Sequence, residues 1–177
     1  MVVVAIGAIL ATLAVPALQA TMERNQLDTA SNQFVAALSM ARSEAVRSPG
    51  YLLTITTGGG QSWTGGWTVA TAPINTPTAQ NRLQAPVPMP GNLTMNGSAA
   101  TIGGFGFDTM GRLVTGVAGP QPALVFMICA GAVPANHSRA VIVSPSGRAS
   151  IAQIISTGAD AGLPVDETNT PIRTCTP

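Results

Sequence analysis

The sequence has no lysine, one histidine and few charges of either sign. All eight basic residues are arginines, seven residues are acidic, and the formal net charge is +1. Without lysine, the glycine-rich stretch GGGQSWTGG cannot form a phosphate-binding P-loop. The single histidine, His137, accompanies no Gly-x-Ser-x-Gly motif near a plausible catalytic triad. The one adjacent acidic pair, Asp166-Glu167, lies in a polar tail. The composition therefore indicates no enzyme and no cofactor.

Residues 1–22, MVVVAIGAILATLAVPALQATM, contain no ionisable side chain. Residues 1–18 are almost entirely apolar, which is the usual length of a membrane span. A cleaved signal peptide would begin with basic residues, and a buried core helix rarely lacks polar residues on every side. The pattern favours a helix that crosses a membrane or fills a filament core. The residues predicted to form it include Val4, Ile6, Ile9, Leu10, Leu13, Pro16 and Leu18.

Residues 23–48 continue the helix with a different pattern, in which apolar residues recur on one face. That face consists of Leu27, Ala30, Phe34, Ala37, Leu38, Ala41 and Ala45, and this spacing is typical of an amphipathic helix. Pro49 and Gly50 predict an end near Ser48. One helix of this length would span roughly 70 Å, with a kink or local melting at Pro16. Arg24 with Asp28, and Glu44 with Arg47, are spaced for weak ion pairs.

From residue 49 the period changes to that of short strands separated by turns. Strands are predicted in YLLTITT, WTVAT, LTMNG, TIGGFGF and RLVTG, with a short edge strand around Arg82 to Ala85. The run ALVFMIC predicts a central strand that is covered on both faces, and RAVIVSPSGRASIAQI predicts a hairpin over Ala140–Val143 and Arg148–Ile154. The predicted fold is α+β: a long N-terminal helix packed on a small head of antiparallel sheets. Its parts are 1–22, 23–48 and 49–177.

Several segments together resemble the GspH/FimT family, which comprises type II secretion pseudopilin H and type IV minor pilin T. The apolar start resembles the type IV pilin N-terminal segment, and Ala41-Arg42-Ser43-Glu44-Ala45-Val46 is similar to the family's second helical half. GGWTV, FGFDTMGRL and AVIVSPSGRASI resemble its Gly-Trp strand, its Phe-x-x-x-Gly element and its closing hairpin with a Gly-Arg turn. The order of these segments over about 150 residues carries the resemblance more than any single motif.

The start of the chain differs from the family pattern. Prepilins carry a basic leader, then Gly, an N-methylated residue and Thr-Leu-Ile-Glu-Leu, whereas this chain begins at Met1, about where that motif would have just ended. We therefore expect this chain to lack the leader and the first mature residues, including the signature Glu. A truncated sequence, a misassigned start and a defective copy are the three explanations. A prepilin peptidase is an expected partner if the precursor carries the leader.

The resemblance implies a minor pilin or pseudopilin subunit of a type IV pilus or a type II secretion system. It would be held in the bacterial inner membrane by one span with a periplasmic head. Other pilin subunits would then be its partners in a surface pilus or periplasmic pseudopilus. One alternative is a minor pilin that binds DNA for uptake in natural transformation. Another is a membrane-anchored periplasmic β-domain with no filament role.

Two cysteines, Cys129 and Cys175, are predicted to form a disulfide, because such pairs are usually oxidised in the periplasm. Closing this loop would contribute roughly 4 kcal/mol. A zinc site formed by Cys129, His137 and Cys175 is the alternative, and it lacks a fourth evident ligand.

A DNA site would need several arginines on one face. The candidates are Arg139 and Arg148, predicted as cross-strand neighbours at the last hairpin, with Arg173 and Arg112. Scattered solvated arginines are the alternative. Of the two tryptophans that flank the glycine-rich loop, Trp67 is expected in the core, and Trp63 is the better candidate for exposure.

Overall fold

The computed structural model consists of one long helix and two antiparallel sheets. It describes residues 2–48, 51–56, 62–73, 81–84, 88–102, 104–115, 121–132 and 134–177. For residues 2–17, 51–54, 72–73 and 81–84 the description covers the backbone alone. The GspH/FimT-like α+β fold predicted from the sequence is confirmed in this arrangement.

The helix α1 spans Val2–Arg47. It is continuous through Pro16, so the predicted local melting does not occur there, because losing one backbone donor leaves the rest of the hydrogen-bond ladder intact. It ends one residue before the predicted Ser48, whose backbone N–H still donates to the Glu44 carbonyl at 3.0 Å. Among the residues that the structure describes, no helix meets the length and apolarity needed to cross a membrane.

The first sheet contains five strands in the order β3-β2-β1-β5-β6. Their bounds are β1 Tyr51–Thr56, β2 Thr68–Pro73, β3 Asn81–Gln84, β5 Phe105–Phe107 and β6 Leu113–Thr115. The short strand β3 lies at the edge of this sheet, as predicted. Parts of the glycine-rich loop and of the Pro-rich run fall outside the described residues.

The second sheet contains four strands in the order β4-β7-β8-β9. Their bounds are β4 Leu93–Gly97, β7 Leu124–Ala130, β8 Ser138–Val143 and β9 Ala149–Ile151. A short 3-10 helix, Ala99–Thr101, follows β4. The predicted hairpin is present as β8 and β9, but β9 ends at Ile151 and not at Ile154, which instead pairs with Pro164 of the tail.

Strand β7 is covered on both faces, as its continuous apolar run predicts. Phe126 and Ile128 belong to the main core against the helix. Met127 and Cys129 face the other way and pack with Ala140 beneath the C-terminal tail. Alternation along a strand explains this division, because successive side chains point to opposite faces. The second sheet is therefore a middle layer between helix and tail.

The main core forms around Phe34, on the predicted apolar face of the helix. All seven residues of that face are buried: Leu27, Ala30, Phe34, Ala37, Leu38, Ala41 and Ala45. The Phe34 ring lies edge-on to Trp67 at 4.8 Å and to Phe126 at 4.9 Å between ring centroids. Such pairs contribute about 0.5–1.5 kcal/mol beyond the burial of apolar area.

Trp63 is fully buried, so the expectation that it is the exposed tryptophan is wrong. Its backbone N–H donates to the Met95 carbonyl at 2.7 Å, and its indole N–H donates to Thr101 Oγ1 at 3.3 Å. These bonds fold the loop back over the end of β4, where the indole meets Phe126 and Phe105. Trp67 is buried, as expected.

Candidate functional site

Helix residues 18–22 precede the part of the helix that packs on the head, and we call this exposed segment the projecting helix. Residues 18–22 are all exposed, and among them Leu18 and Met22 expose 58% and 55% of their surface. Burial against the head begins at Leu27. Of the predicted assembly residues, Leu18 is described and exposed, whereas the side chains of Val4, Ile6, Ile9, Leu10, Leu13 and Pro16 lie outside the described residues.

Polar contacts attach the helix to the head where the projection ends. Glu23 contacts His137 Nδ1, and Arg139 Nε donates to Asp28 Oδ1 at 2.6 Å. The predicted Arg24–Asp28 ion pair is therefore replaced by a longer-range one, because Asp28 faces strand β8. The other predicted helical pair, between Glu44 and Arg47, is present at 2.9 Å. His137 is exposed in its loop, as expected, but it also contacts the helix.

Further along the helix, Arg42 connects it to a turn of each sheet. Its Nε donates to the Gly111 carbonyl at 2.9 Å, in the turn before β6. Its Nη2 donates to the Ser146 carbonyl at 3.1 Å, in the turn between β8 and β9. The two turns also bond directly, since the Leu113 N–H donates to the Pro145 carbonyl at 3.1 Å. We call this arrangement the three-way junction.

Two glycines make the three-way junction possible. Gly111 and Gly147 have positive φ angles of 71° and 79°, which non-glycine residues rarely adopt. A Cβ atom on Gly147 would collide with the Gly111 carbonyl oxygen and press on Arg42 Nε. The junction therefore unites three segments that carry the family resemblance: the Ala41-Arg42 helix, the Phe-x-x-x-Gly element and the Gly-Arg turn.

Asp108 closes the turn that presents Gly111. Its carboxylate accepts the backbone N–H groups of Met110 and Arg112 at 2.9 and 2.8 Å, and the Arg112 guanidinium at 3.0 Å. Partial burial alone would raise the pKa of Asp108, but these hydrogen bonds to the charged form outweigh burial and hold that pKa below its usual range.

Sequence reasoning did not identify Arg42 as a contact residue. Arg42 lies outside the predicted apolar face of the helix, yet its side chain is half-buried between the two turns. One signal could have pointed to this contact. Arg42 is a positive charge within a helical segment that carries the family resemblance, and two turns that also carry it each contain a glycine.

The structure contains the disulfide predicted between Cys129 and Cys175, with 6.1 Å between their Cα atoms. It attaches the C-terminal tail to β7, and Asn96 Nδ2 adds a bond to the Cys175 carbonyl at 3.0 Å. Since both cysteines are oxidised, they cannot serve as thiolate ligands of the alternative zinc site with His137. Within the described part of the chain, no group of side chains has the make-up of a metal site.

Three of the four arginines considered for DNA binding form ion pairs with carboxylates. Arg112, Arg139 and Arg173 pair with Asp108, Asp28 and Asp160. Arg148 has no carboxylate partner within the described residues. The predicted cross-strand contact between Arg139 and Arg148 is wrong, because the tight turn places Arg148 opposite Ser144 while Arg139 lies near the far end of β8, opposite Ile128.

Comparison with known proteins identifies the family. The family model described as "Type II transport protein GspH" matches residues 30–147, about two thirds of the chain. The chain belongs to the GspH family. This confirms the resemblance read from the sequence. The matched range of the GspH-family chain includes every residue of the three-way junction and, apart from Leu27, the whole buried helical face. Family members are structural pilin and pseudopilin subunits and not enzymes.

Two solved structures of the type IV minor pilin FimU from Pseudomonas aeruginosa strain PAO1 share the fold of this GspH-family chain. The first, in space group P21, has a TM-score of 0.61 at 21% identity and covers 88% of this chain and 98% of its own. The second, in space group P65, has a TM-score of 0.54 at 20% identity and covers 84% and 99%. No curated protein sequence matches this chain.

Proposed function

We propose that this chain is a minor subunit that enters a type IV pilus or a type II secretion pseudopilus through the N-terminal half of its helix. Membership of the GspH family supports assembly with other pilin-type subunits. The observation that carries the proposal is the projecting helix, in which Leu18 and Met22 lie exposed beyond the head. Burying such apolar surface contributes about 25 cal/mol per Å².

The inner membrane is the proposed location of the subunit before assembly, with the head in the periplasm. Its support is the charge-free stretch of residues 1–22. Prepilin peptidase and N-methylation belong to this proposal only if the precursor carries the leader. Alkaline carbonate washing of membranes from the native host tests the anchor, since an integral protein stays with the membrane. Release into the wash would contradict anchoring.

Filament incorporation is tested by a charged substitution in the projecting helix. We expect Leu18→Asp to abolish recovery of the protein in the sheared filament or pseudopilus fraction, because a charge would be buried among apolar helices. Asn32→Asp introduces the same group on the exposed face of the head half, and this variant should be recovered normally. Equal recovery of both variants, with equal expression, would contradict the proposal.

The charges around the candidate arginines do not favour DNA uptake. Three of its four candidate arginines are neutralised by neighbouring carboxylates, and affinity for DNA depends on the number of phosphates that free cations neutralise.

A further inference from the structure

A groove follows the seam between the helix and the β8–β9 turn, and we call it the seam groove. Its volume is about 510 Å³. Ser39, Arg42, Ser43 and Val46 line it from the helix, and Arg148 and Ala149 line it from the hairpin. None of its described lining residues is acidic, so this lining carries positive charge on a chain whose net charge is nearly zero.

Both arginines that line the seam groove lack a carboxylate partner within the described residues. Apart from the exposed Arg24 beside the projecting helix, the other arginines with described side chains lie within 3.0 Å of a carboxylate: Arg47, Arg112, Arg139 and Arg173. Arg42 bonds only to carbonyl groups, and the exposed Arg148 has no ion-pair partner within the described residues. Both line the same groove.

Two acidic residues share a second groove with Arg148. Asp166 and Glu167 line a separate groove, in which Arg148 forms part of the boundary. Asp166 Oδ1 already accepts the backbone N–H groups of Thr168 and Thr170 at 2.9 and 2.8 Å. Neither carboxylate forms an ion pair with Arg148 within the described structure.

We propose that the seam groove binds an acidic side chain of a neighbouring pilin-type subunit, an inference that rests on the proposed function. The planar guanidinium of Arg148 suits bidentate pairing with a carboxylate. Arg42 adds positive charge from the opposite wall without leaving its carbonyl partners. Val46 and Ala149 provide apolar surface for the methylene groups of Asp or Glu. Two cations in one groove match one carboxylate, whereas a nucleic acid would need a longer row of free cations.

Site-specific photo-crosslinking in the native host tests this inference. The photoreactive residue p-benzoylphenylalanine replaces Ser39 in the seam groove or, separately, Leu18 in the projecting helix. With native Arg148, we expect both positions to yield adducts with pilin-type subunits. Arg148→Glu should reduce the Ser39 adduct by at least about tenfold, because truncating or reversing one member of an interfacial charge pair is costly. The Leu18 adduct should persist.

Arg173→Glu is the matched control, since Arg173 is similarly exposed but pairs with Asp160. It should leave the Ser39 adduct unchanged. Arg148→Gln, which removes the charge without reversing it, should also weaken the adduct, and thermal unfolding of the purified variants verifies their folding. Replacing the contacted acid of the crosslinked partner with Arg should restore the adduct in the Arg148→Glu background.

Persistence of the Ser39 adduct in Arg148→Glu, an equal loss in Arg173→Glu, or crosslinking of Ser39 to nucleic acid or lipid would overturn the inference. If the Leu18 adducts remain in those cases, the proposed function stands. Absence of pilin-type adducts from both positions would overturn the proposed function together with the inference.

Discussion

The two halves of the single helix differ in their surroundings and not in their backbone. Residues 18–22 are exposed on every side, whereas from Leu27 to Ala45 one face is fully covered by the head. Most helices in proteins depend on tertiary packing of one face, and among the described side chains of this helix such packing is found from Leu27 onward. The stability of the fold therefore resides in one half, and we place filament assembly in the other.

The largest difference in stability between the halves is expected when one apolar side chain is removed from each. Phe34→Ala should lower the free energy of unfolding by about 3–5 kcal/mol, because it leaves a cavity among buried aromatic rings. Leu18→Ala should change it by less than about 0.5 kcal/mol, since Leu18 is exposed. Urea unfolding followed by tryptophan fluorescence measures both. Similar values for the two variants would remove the distinction between the halves.

A second test asks whether the head half depends on close contact with the turns. Gly147→Ala forces a positive φ angle and a collision with Gly111, so we expect a loss of about 3 kcal/mol. Gly158→Ala is the matched control, because Gly158 also has a positive φ angle but open space around it. Its cost should be about 1 kcal/mol. Thermal unfolding of the two variants measures both costs. Equal costs would show that the close contact between Gly147 and Gly111 is unimportant.

A third test compares the arginine of the three-way junction with an exposed arginine at the start of the head half. Arg42→Met should cost about 2 kcal/mol, because it leaves two carbonyl groups without their charged donor. Arg24 is exposed beside the projection, and Arg24→Met should be neutral within about 0.5 kcal/mol. Hydrogen exchange provides a local measurement, since amides in the two turns of the three-way junction should lose protection only in the Arg42 variant.

The turn closed by Asp108, which presents Gly111 to Arg42, should make the stability of the head sensitive to acid. The folded-state pKa of Asp108 is lowered from 3.8, so its stabilisation is present above that value and is lost as the pH falls through the folded pKa. Asp108→Asn should cost about 1 kcal/mol at neutral pH. The difference from the native chain should shrink below about pH 4. Chemical unfolding at several pH values measures this, and a difference that does not vary with pH would contradict it.

The smallest effect is expected at the border between the halves. The Arg139–Asp28 pair lies partly in solvent, with half of the Asp28 side chain exposed. Asp28→Asn should therefore cost about 0.5 kcal/mol at low salt and less at high salt. Unfolding at two salt concentrations measures the change. If Asp28→Asn cost more than Arg42→Met, the main polar attachment of the helix would be this ion pair and not the three-way junction.

Local patterns predicted most of the fold. The buried helical face followed directly from the spacing of Leu27, Phe34 and Leu38, and the β8–β9 hairpin followed from its turn residues. The disulfide could be inferred because the chain has two cysteines. Each of these features depends on residues that are close in sequence or few in number.

The features that sequence reasoning missed depend on distant residues. Arg42 contacts carbonyl groups that lie 69 residues away in Gly111 and 104 residues away in Ser146, and nothing local distinguishes it from a solvated arginine. Trp63 is buried because its loop folds over β4. Its backbone N–H bonds to the carbonyl of Met95, 32 positions along the chain, and its indole N–H bonds to Thr101. The predicted Arg139–Arg148 contact was wrong because it depends on the register between β8 and β9. The turn sets that register, and the alternation of residues along a strand does not reveal it.

The three-way junction has a mechanical consequence. In the proposed filament role, tension would act along the helix. Besides the contacts along its buried face, the helix is bonded to a turn of each sheet through the single side chain of Arg42, so tension would load both turns together. Neither sheet could then slide past the other without first breaking the Arg42 bonds and separating Leu113 from Pro145. Under tension, the head would move as one rigid body, and the surface it presents to its neighbours would keep its shape.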